Sequence, residues 1–282
     1  MALEAQRHRR LLRRQPVAGA LAWIGVVLTV TCLPGCRQPT AADSIALGDE
    51  CRAVGDLQGA AACYTEAIGR DGELAVAYAR RGFAFADLDD HERALSDFER
   101  ALELEPNSYD VRLRRAQIAE ENGRPDDAIA DLTVVIEAGH ELGRSLTMRG
   151  RLYLADRKFR EALRDLDRVL EIEEARTPPC YVLRGRARME CEVGKGEDAD
   201  FSQAEADFSQ AIELDSDFAL AYWSRAQVRD KMQRTTDADA DRRRAQELDP
   251  GLIFSTSDVS KSLIRELYTP SAARGEFSPL DQ

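Results

Sequence analysis

Arginine and aspartate recur in two matched series along this chain of 282 residues. They form five pairs. In four pairs the aspartate follows the arginine by 16 residues, and in the fifth by 23. A guanidinium binds a carboxylate through two parallel hydrogen bonds, so the pattern predicts ion pairs. We interpret them as a structural ladder, and the alternative is that the arginines contact a ligand. The pairs are Arg81 with Asp97, Arg115 with Asp131, Arg149 with Asp165, Arg184 with Asp207, and Arg225 with Asp241.

Strings that would signal catalysis or cofactor binding are missing from the sequence. It contains no Gly-x-Ser-x-Gly, phosphate-loop or His-Glu-x-x-His motif. The three histidines, His8, His91 and His140, form no cluster with cysteines, which argues against a zinc site. The net charge of −12 would repel a phosphate backbone and argues against a nucleic-acid partner. We therefore expect a non-catalytic protein with no cofactor and no metal.

The spacing of small residues predicts the helices that carry these arginines and aspartates. Gly48, Gly82, Ala116 and Gly150 are spaced 34 residues apart, and an alanine follows each of them by 12 residues. Four residues after each alanine comes a large apolar side chain. This spacing predicts two helices per unit that approach closely at the small residues, with the large side chain packed beside them. The large residues are Tyr64, Phe98, Leu132, Leu166 and, in a longer unit, Phe208.

This pattern resembles the tetratricopeptide-repeat (TPR) family, whose 34-residue unit is a helix–turn–helix. The resemblance implies an all-α, right-handed solenoid of about six repeats over residues 41–252, in which stacked neighbours complete the core. In the first unit Leu47 and Cys63 replace the ladder's arginine and aspartate. Because the first unit lacks both charged residues, we expect each arginine to pair with the aspartate of its own unit. The alternative is that it pairs with an aspartate of the next unit. The expected units are 41–74, 75–108, 109–142, 143–176, 177–218 and 219–252.

Two segments depart from the repeat. The fifth unit has extra residues within 192–201, which we interpret as a longer surface loop, with a partner contact or a weak cation site as the alternative. Residues 253–282 are expected to hold a capping helix and a disordered tail. The helix is predicted over 258–268 because Val259, Leu263 and Leu267 recur on one helical face.

The N-terminus has the layout of an export signal. A basic segment, RHRRLLRR, precedes the apolar residues 17–32, which are too few for a typical membrane-spanning helix. The string Leu33-Pro34-Gly35-Cys36 resembles a bacterial lipobox. That resemblance implies a signal peptide over 1–35, lipidation (palmitate) of Cys36, and a tether over 36–40. The expected location is the bacterial cell envelope, membrane-anchored and facing the periplasm. An uncleaved anchor helix is the alternative.

The family resemblance also implies where a partner binds. TPR relatives use the concave surface formed by the first helix of each unit, and this surface is expected to bind a protein or peptide. Arg151 and Arg186 would be neighbours able to hold a carboxylate, although they could instead only balance an acidic surface. Phe83 and Trp223 would be apolar anchors. The expected groove residues are Phe83, Gln117, Arg151, Arg186 and Trp223.

Two cysteines could meet in the first unit. Cys51 and Cys63 fall on its two predicted helices, so an oxidising compartment would permit a disulfide, and buried thiols are the alternative. The whole pattern predicts an envelope scaffold that binds proteins. The alternatives are a regulator or adaptor of an envelope enzyme complex, in cell-wall metabolism or secretion, and an inner-membrane-anchored TPR adaptor that keeps its N-terminal helix.

Overall fold

The computed structural model describes residues 39–193, 195 and 199–250. Within them the chain forms twelve α-helices and one short 3₁₀ helix, without a β-strand, which confirms the predicted all-α fold. The signal peptide, Cys36, the capping helix predicted over 258–268 and the tail lie outside the described residues. None of the helices within the described ranges is long and apolar enough to cross a membrane.

The helices follow one another in antiparallel pairs, each pair packed on the next. The 3₁₀ helix Glu173–Ala175 lies between the fourth and fifth pairs. The bounds are α1 Ala41–Ala53, α2 Leu57–Arg70, α3 Ala75–Asp87, α4 His91–Leu104, α5 Tyr109–Glu121, α6 Pro125–Glu137, α7 Leu142–Ala155, α8 Phe159–Glu171, α9 Pro178–Val193, α10 Ser202–Leu214, α11 Ala219–Lys231 and α12 Thr235–Leu248.

Polar side chains determine where several helices begin. Thr40 and Asp43 form a reciprocal cap at the start of α1, because the Thr40 hydroxyl accepts from the Asp43 N–H and the Asp43 carboxylate accepts from the Thr40 N–H. Asp56 and Asp90 accept from backbone N–H groups in the first turns of α2 and α4. These contacts satisfy amide groups that have no partner inside the helix.

The turn inside most pairs requires a left-handed backbone. The residue that adopts it is glycine in the first and third pairs, with φ of 82° at Gly55 and 69° at Gly123. In three other pairs the same position holds a residue with a side chain, at Asp89, Arg157 and Gln233. Glycine adopts this conformation freely, whereas other residues are strained in it by about 1–2 kcal/mol.

The core consists of the contacts predicted between small and large residues. A Cβ atom added to Gly82 would lie 2.6 Å from Cε1 of Phe98, and one added to Gly185 would lie 2.7 Å from Cε1 of Phe208. Phe98 and Phe208 are fully buried. The helices can approach this closely only because the facing residue has no side chain. The same packing recurs along the array and leaves one face of the first helices available for a site.

Candidate protein-binding cavity

A cavity of about 460 Å³ opens on the first helices of the second, third and fourth pairs. Phe83 of α3 and Gln117 of α5 both border it, and they are 34 residues apart, so equivalent positions of successive units meet in one surface. The C-terminal end of α1 contributes Arg52, and α7 contributes Arg144. The repeat thus brings together side chains that are far apart in sequence.

Phe83 provides the aromatic surface of the cavity. Its ring is packed edge-on against Phe98, with centroids 5.2 Å apart and an interplanar angle of 63°. The guanidinium carbon of Arg52 lies 5.9 Å from the Phe83 centroid. Such edge-to-face and cation–π contacts hold an aromatic ring in one orientation. Phe83 is therefore a fixed, half-buried apolar surface.

One carboxylate in the cavity is shared by two arginines. Arg52 donates from Nη2 to Oδ2 of Asp87 at 3.3 Å, and Arg114 donates from Nη2 to Oδ1 of Asp87 at 3.1 Å. Both distances are long for a charge-assisted hydrogen bond. Each guanidinium has five N–H donors, and the contact with Asp87 uses one of them. Arg114 also donates from Nη1 to Oε1 of Gln117 at 3.3 Å. Both guanidinium groups therefore keep N–H donors that these hydrogen bonds do not use.

Two histidine–carboxylate pairs lie beside these arginines. The Nε2 atom of His91 is 3.6 Å from Glu121, and Nε2 of His140 is 2.8 Å from Asp110. His91, Glu121 and Asp110 border the cavity, whereas His140 supports it from α6's C-terminal side. The rim is consequently polar around an apolar centre, which is the usual composition of a ligand site.

The other three residues expected in the groove do not border this cavity. Arg151 is 6% exposed, and its Nη2 donates to Oε2 of Glu120 at 2.5 Å. Arg186 is 7% exposed, and this burial lowers the pKa of its guanidinium. Trp223 packs in the core cluster around Phe208. These three side chains are largely buried, whereas Arg52 and Arg114 border the cavity.

Burial also affects Glu120, the partner of Arg151. Burial raises the pKa of this carboxyl above its ordinary value of 4.5, and the opposing attraction of Arg151 is the smaller effect. The pair joins α5 to α7, the first helices of the third and fourth units. An arginine that looks like a ligand contact in the sequence is thus part of the packing between neighbouring units.

The structure brings together each of the five arginine–aspartate pairs, and each pair lies within one unit. Every arginine makes at least two hydrogen bonds to its aspartate, whose side chain is at most 7% exposed. The shortest contacts are Arg81 to Asp97 at 2.7 Å, Arg115 to Asp131 at 2.6 Å, Arg149 to Asp165 at 2.8 Å, Arg184 to Asp207 at 2.6 Å and Arg225 to Asp241 at 2.8 Å. These contacts raise the pKa of Arg81, Arg115, Arg149 and Arg225.

Four of these arginines also reach the preceding unit. Arg149 donates a third hydrogen bond to the Thr133 hydroxyl at 2.9 Å, and Arg184 donates one to the Asp167 carboxylate at 3.1 Å. In four units the ladder arginine therefore joins the two helices of its unit and also contacts the preceding unit. The other two contacts are Arg81 to Thr65 at 3.0 Å and Arg225 to Ser209 at 3.1 Å.

Part of the chain matches known repeat families. Two family models, both described as tetratricopeptide repeat, match residues 75–108 and 98–130. Human tetratricopeptide repeat protein 13 is 28% identical over 153 residues, which are 54% of this chain. The chain spans only 16% of the length of that relative.

Solved structures share the arrangement of helices. YrrB, described as a TPR protein with an unusual peptide-binding site, superimposes with a TM-score of 0.57 at 20% identity, over 67% of this chain and 94% of YrrB. PilF of Pseudomonas aeruginosa gives a TM-score of 0.58 at 14% identity, over 81% of this chain and 97% of PilF. PilW, described as a type IV pilus biogenesis factor, gives 0.57 at 16% identity, over 76% and 95%. At identities this low the likeness shows a common fold alone, and the family models match tetratricopeptide repeats within residues 75–130.

Proposed function

We propose that the array acts by binding a protein or peptide in the cavity between Arg52, Phe83 and Arg114, and that it catalyses no reaction. The observation that carries the proposal is the fixed Phe83 ring beside two arginines that share Asp87. This arrangement suits a segment with a large apolar side chain next to a carboxylate. The apolar group would cover Phe83, and the carboxylate would occupy the N–H donors that Asp87 and Gln117 leave available.

The related structures support a role in protein interactions. YrrB is described as having a peptide-binding site, and PilW as a type IV pilus biogenesis factor. The size of the cavity agrees with this role, since about 460 Å³ lies within the range of about 300–1,000 Å³ for ligand sites.

A peptide selection tests the binding site. Peptides displayed on phage are selected on the wild-type array, and the affinity of each selected peptide is then measured for Phe83→Ala and Tyr78→Ala. Tyr78 is the matched control, because it lies on the same helix but packs against Arg81, 5.7 Å from its guanidinium carbon. We expect Phe83→Ala to weaken binding at least tenfold and Tyr78→Ala to leave it unchanged. Equal affinities for both variants would remove Phe83 from the site.

The chemistry of the ligand can be tested with the same peptides. The carboxylate of each selected peptide is replaced by an amide, and both forms are titrated against the wild type and Arg114→Gln. If Arg114 binds the carboxylate, the amide and the variant each weaken binding, and the two together weaken it little further. Fully additive losses would show that Arg114 and the carboxylate do not interact.

For the N-terminal segment we propose export and lipidation at Cys36, which would place the array in the cell envelope. The support is the basic segment, the short apolar stretch and the string Leu33-Pro34-Gly35-Cys36. Cell fractionation compares the wild type with Cys36→Ala, and mass spectrometry identifies the mature N-terminus. We expect a wild-type protein that begins at an acylated Cys36 and a variant that is not acylated. A variant that still sediments with membranes and keeps residues 1–35 would favour the uncleaved anchor.

A further inference from the structure

The first unit lacks the ionic contact that the other five share. Leu47 and Cys63 occupy the positions of the arginine and the aspartate, and Leu47 is half exposed. A second cysteine lies close to these positions. Cys51 is on α1, one helical turn after Leu47, and α1 packs against α2.

In the last two units long side chains at these two positions reach each other. Arg188 and Arg229 each lie four residues after a ladder arginine, as Cys51 lies four residues after Leu47. Each donates to the unit's buried aspartate, Arg188 to Asp207 at 2.8 Å and Arg229 to Asp241 at 2.8 Å. In the first unit Cys51 and Cys63 occupy the corresponding places, and Cys51 packs against the buried cluster that contains Ala61 and Tyr64, α2 residues on either side of Cys63 in sequence.

We propose that Cys51 and Cys63 are a disulfide-forming pair that joins α1 to α2 when the chain is in an oxidising compartment. The two cysteines lie on helices that pack directly against each other, which is the arrangement that a bridge between α1 and α2 requires. Both residues are partly exposed, which lets an oxidant reach them. The proposal does not depend on the function of the cavity.

The oxidant in this proposal is a disulfide, either a small molecule or an exported thiol–disulfide oxidoreductase. The Cys51 thiolate attacks one sulfur of that disulfide, and a mixed disulfide forms while one thiol leaves. The Cys63 thiolate then attacks the Cys51 sulfur, the intramolecular bond forms and the second thiol leaves. The protons of Cys51 and Cys63 end on the two released thiols, so two cysteines are oxidised and one disulfide is reduced.

Burial raises the pKa of the Cys63 thiol above its ordinary value of 9.0, and Cys51, Glu66 and Asp56 raise it further. Because the thiolate is the nucleophile in thiol–disulfide exchange, the attack by Cys63 becomes faster as the pH rises.

The bond would also restrain one wall of the cavity. Cys51 directly precedes Arg52, whose guanidinium lies over Phe83. A link from α1 to α2 would hold the end of α1 that carries Arg52. The link would replace, with a covalent bond, the ionic contact that the other units use.

Thiol mapping tests the proposal on the full-length wild type. The protein is incubated with oxidised glutathione or with dithiothreitol, denatured, alkylated with iodoacetamide and digested with trypsin, which cleaves after Arg52 and separates the two cysteines. We expect the oxidised sample to contain the peptides of Cys51 and Cys63 joined and unalkylated. Cys180 and Cys191 are the internal control, because both lie on α9 about 16 Å apart and cannot bridge.

Variants then separate the pair from unspecific oxidation. Oxidation should raise the melting temperature of the wild type and of Cys191→Ser by about 5 °C or more, and should not raise that of Cys51→Ser. The proposal is overturned if Cys51 and Cys63 stay alkylated, or each carries only glutathione, after oxidation of the wild type. A joined peptide with equal melting shifts in the wild type and Cys51→Ser would overturn the claim that the bond restrains the helices.

Discussion

Arg149 holds Asp165 by two hydrogen bonds, from Nε to Oδ2 at 2.8 Å and from Nη2 to Oδ1 at 2.9 Å. The aspartate lies on α8 with its side chain 6% exposed, and the arginine lies on the facing helix α7 with its side chain 13% exposed. A charge this well covered is stable only with its partner in place. The remaining guanidinium contact, to Thr133, extends the same interaction to the preceding unit.

Removal of Asp165 should therefore destabilise the array strongly. We expect Asp165→Ala to lower the free energy of unfolding by about 3 kcal/mol, because Arg149 then stays largely buried without a carboxylate. Thr133→Val is the matched control and should cost only about 1 kcal/mol, since it removes one hydrogen bond. Urea unfolding followed by circular dichroism measures both. A loss below about 1 kcal/mol for Asp165→Ala would mean that the pair behaves like an exposed one.

The close approach of α3 and α4 can be tested with two glycines. A methyl group at Gly82 would collide with the Phe98 ring, whereas one at Gly69 meets no atom within 4 Å. We expect Gly82→Ala to destabilise the protein by about 1–3 kcal/mol and Gly69→Ala to stabilise it by about 0.5–1 kcal/mol. Thermal melting of the two variants checks the opposite signs. Equal effects would contradict the packing described for the helix pairs.

The strained turns give a prediction of stabilisation. Gln233 is exposed and has φ of 63°, so Gln233→Gly should raise the free energy of unfolding by about 1 kcal/mol. Gly123 has φ of 69° in the equivalent turn, and Gly123→Gln should lower it by a similar amount. The reciprocal exchange uses the same two residue types in both directions. Chemical unfolding measures the stability of both variants. A change in the same direction for both would contradict the proposed backbone strain at Gln233.

Glu120 gives a prediction for pH. Its pKa is raised in the folded chain, so the stabilisation it provides is complete below about pH 4.5 and is lost as pH rises through the folded pKa. Glutamine does not titrate, so the stability of Glu120→Gln relative to wild type should increase between pH 4 and pH 7. The change corresponds to about 1.4 kcal/mol for each unit between the folded and unfolded pKa. Urea midpoints at several pH values measure it, and a relative stability that falls with pH would contradict the sign.

The sequence allows the fold to be predicted because its information is periodic. Gly82 and Phe98, or Arg149 and Asp165, recur in register with their counterparts in other units, and a repeated spacing indicates which side chains face one another. The residues that form the turns are harder to recognise in the sequence than the packed pairs. Gly55 and Gly123 mark two turns, whereas Asp89 occupies the same strained backbone without a glycine to indicate it.

The cavity could be predicted only in part. Phe83 and Gln117 follow from the repeat position, but Arg151 is covered and bound to Glu120, 31 residues earlier on a neighbouring helix. That pairing depends on how two units stack, which the period of one unit does not reveal. Arg52 is not among the groove residues predicted from the sequence, although it borders the same cavity as Phe83 and Gln117. A comparison of the charged residues one helical turn after each groove position would have identified it.

Amide hydrogen exchange with a selected peptide is the most direct test of the central claim that this array binds its partner in the cavity. The account predicts that the peptide slows exchange in α3, Ala75–Asp87, and α5, Tyr109–Glu121, and at the C-terminal end of α1. Exchange in α12, Thr235–Leu248, should not change. Protection confined to α9 through α12, or equal protection along the whole array, would contradict it.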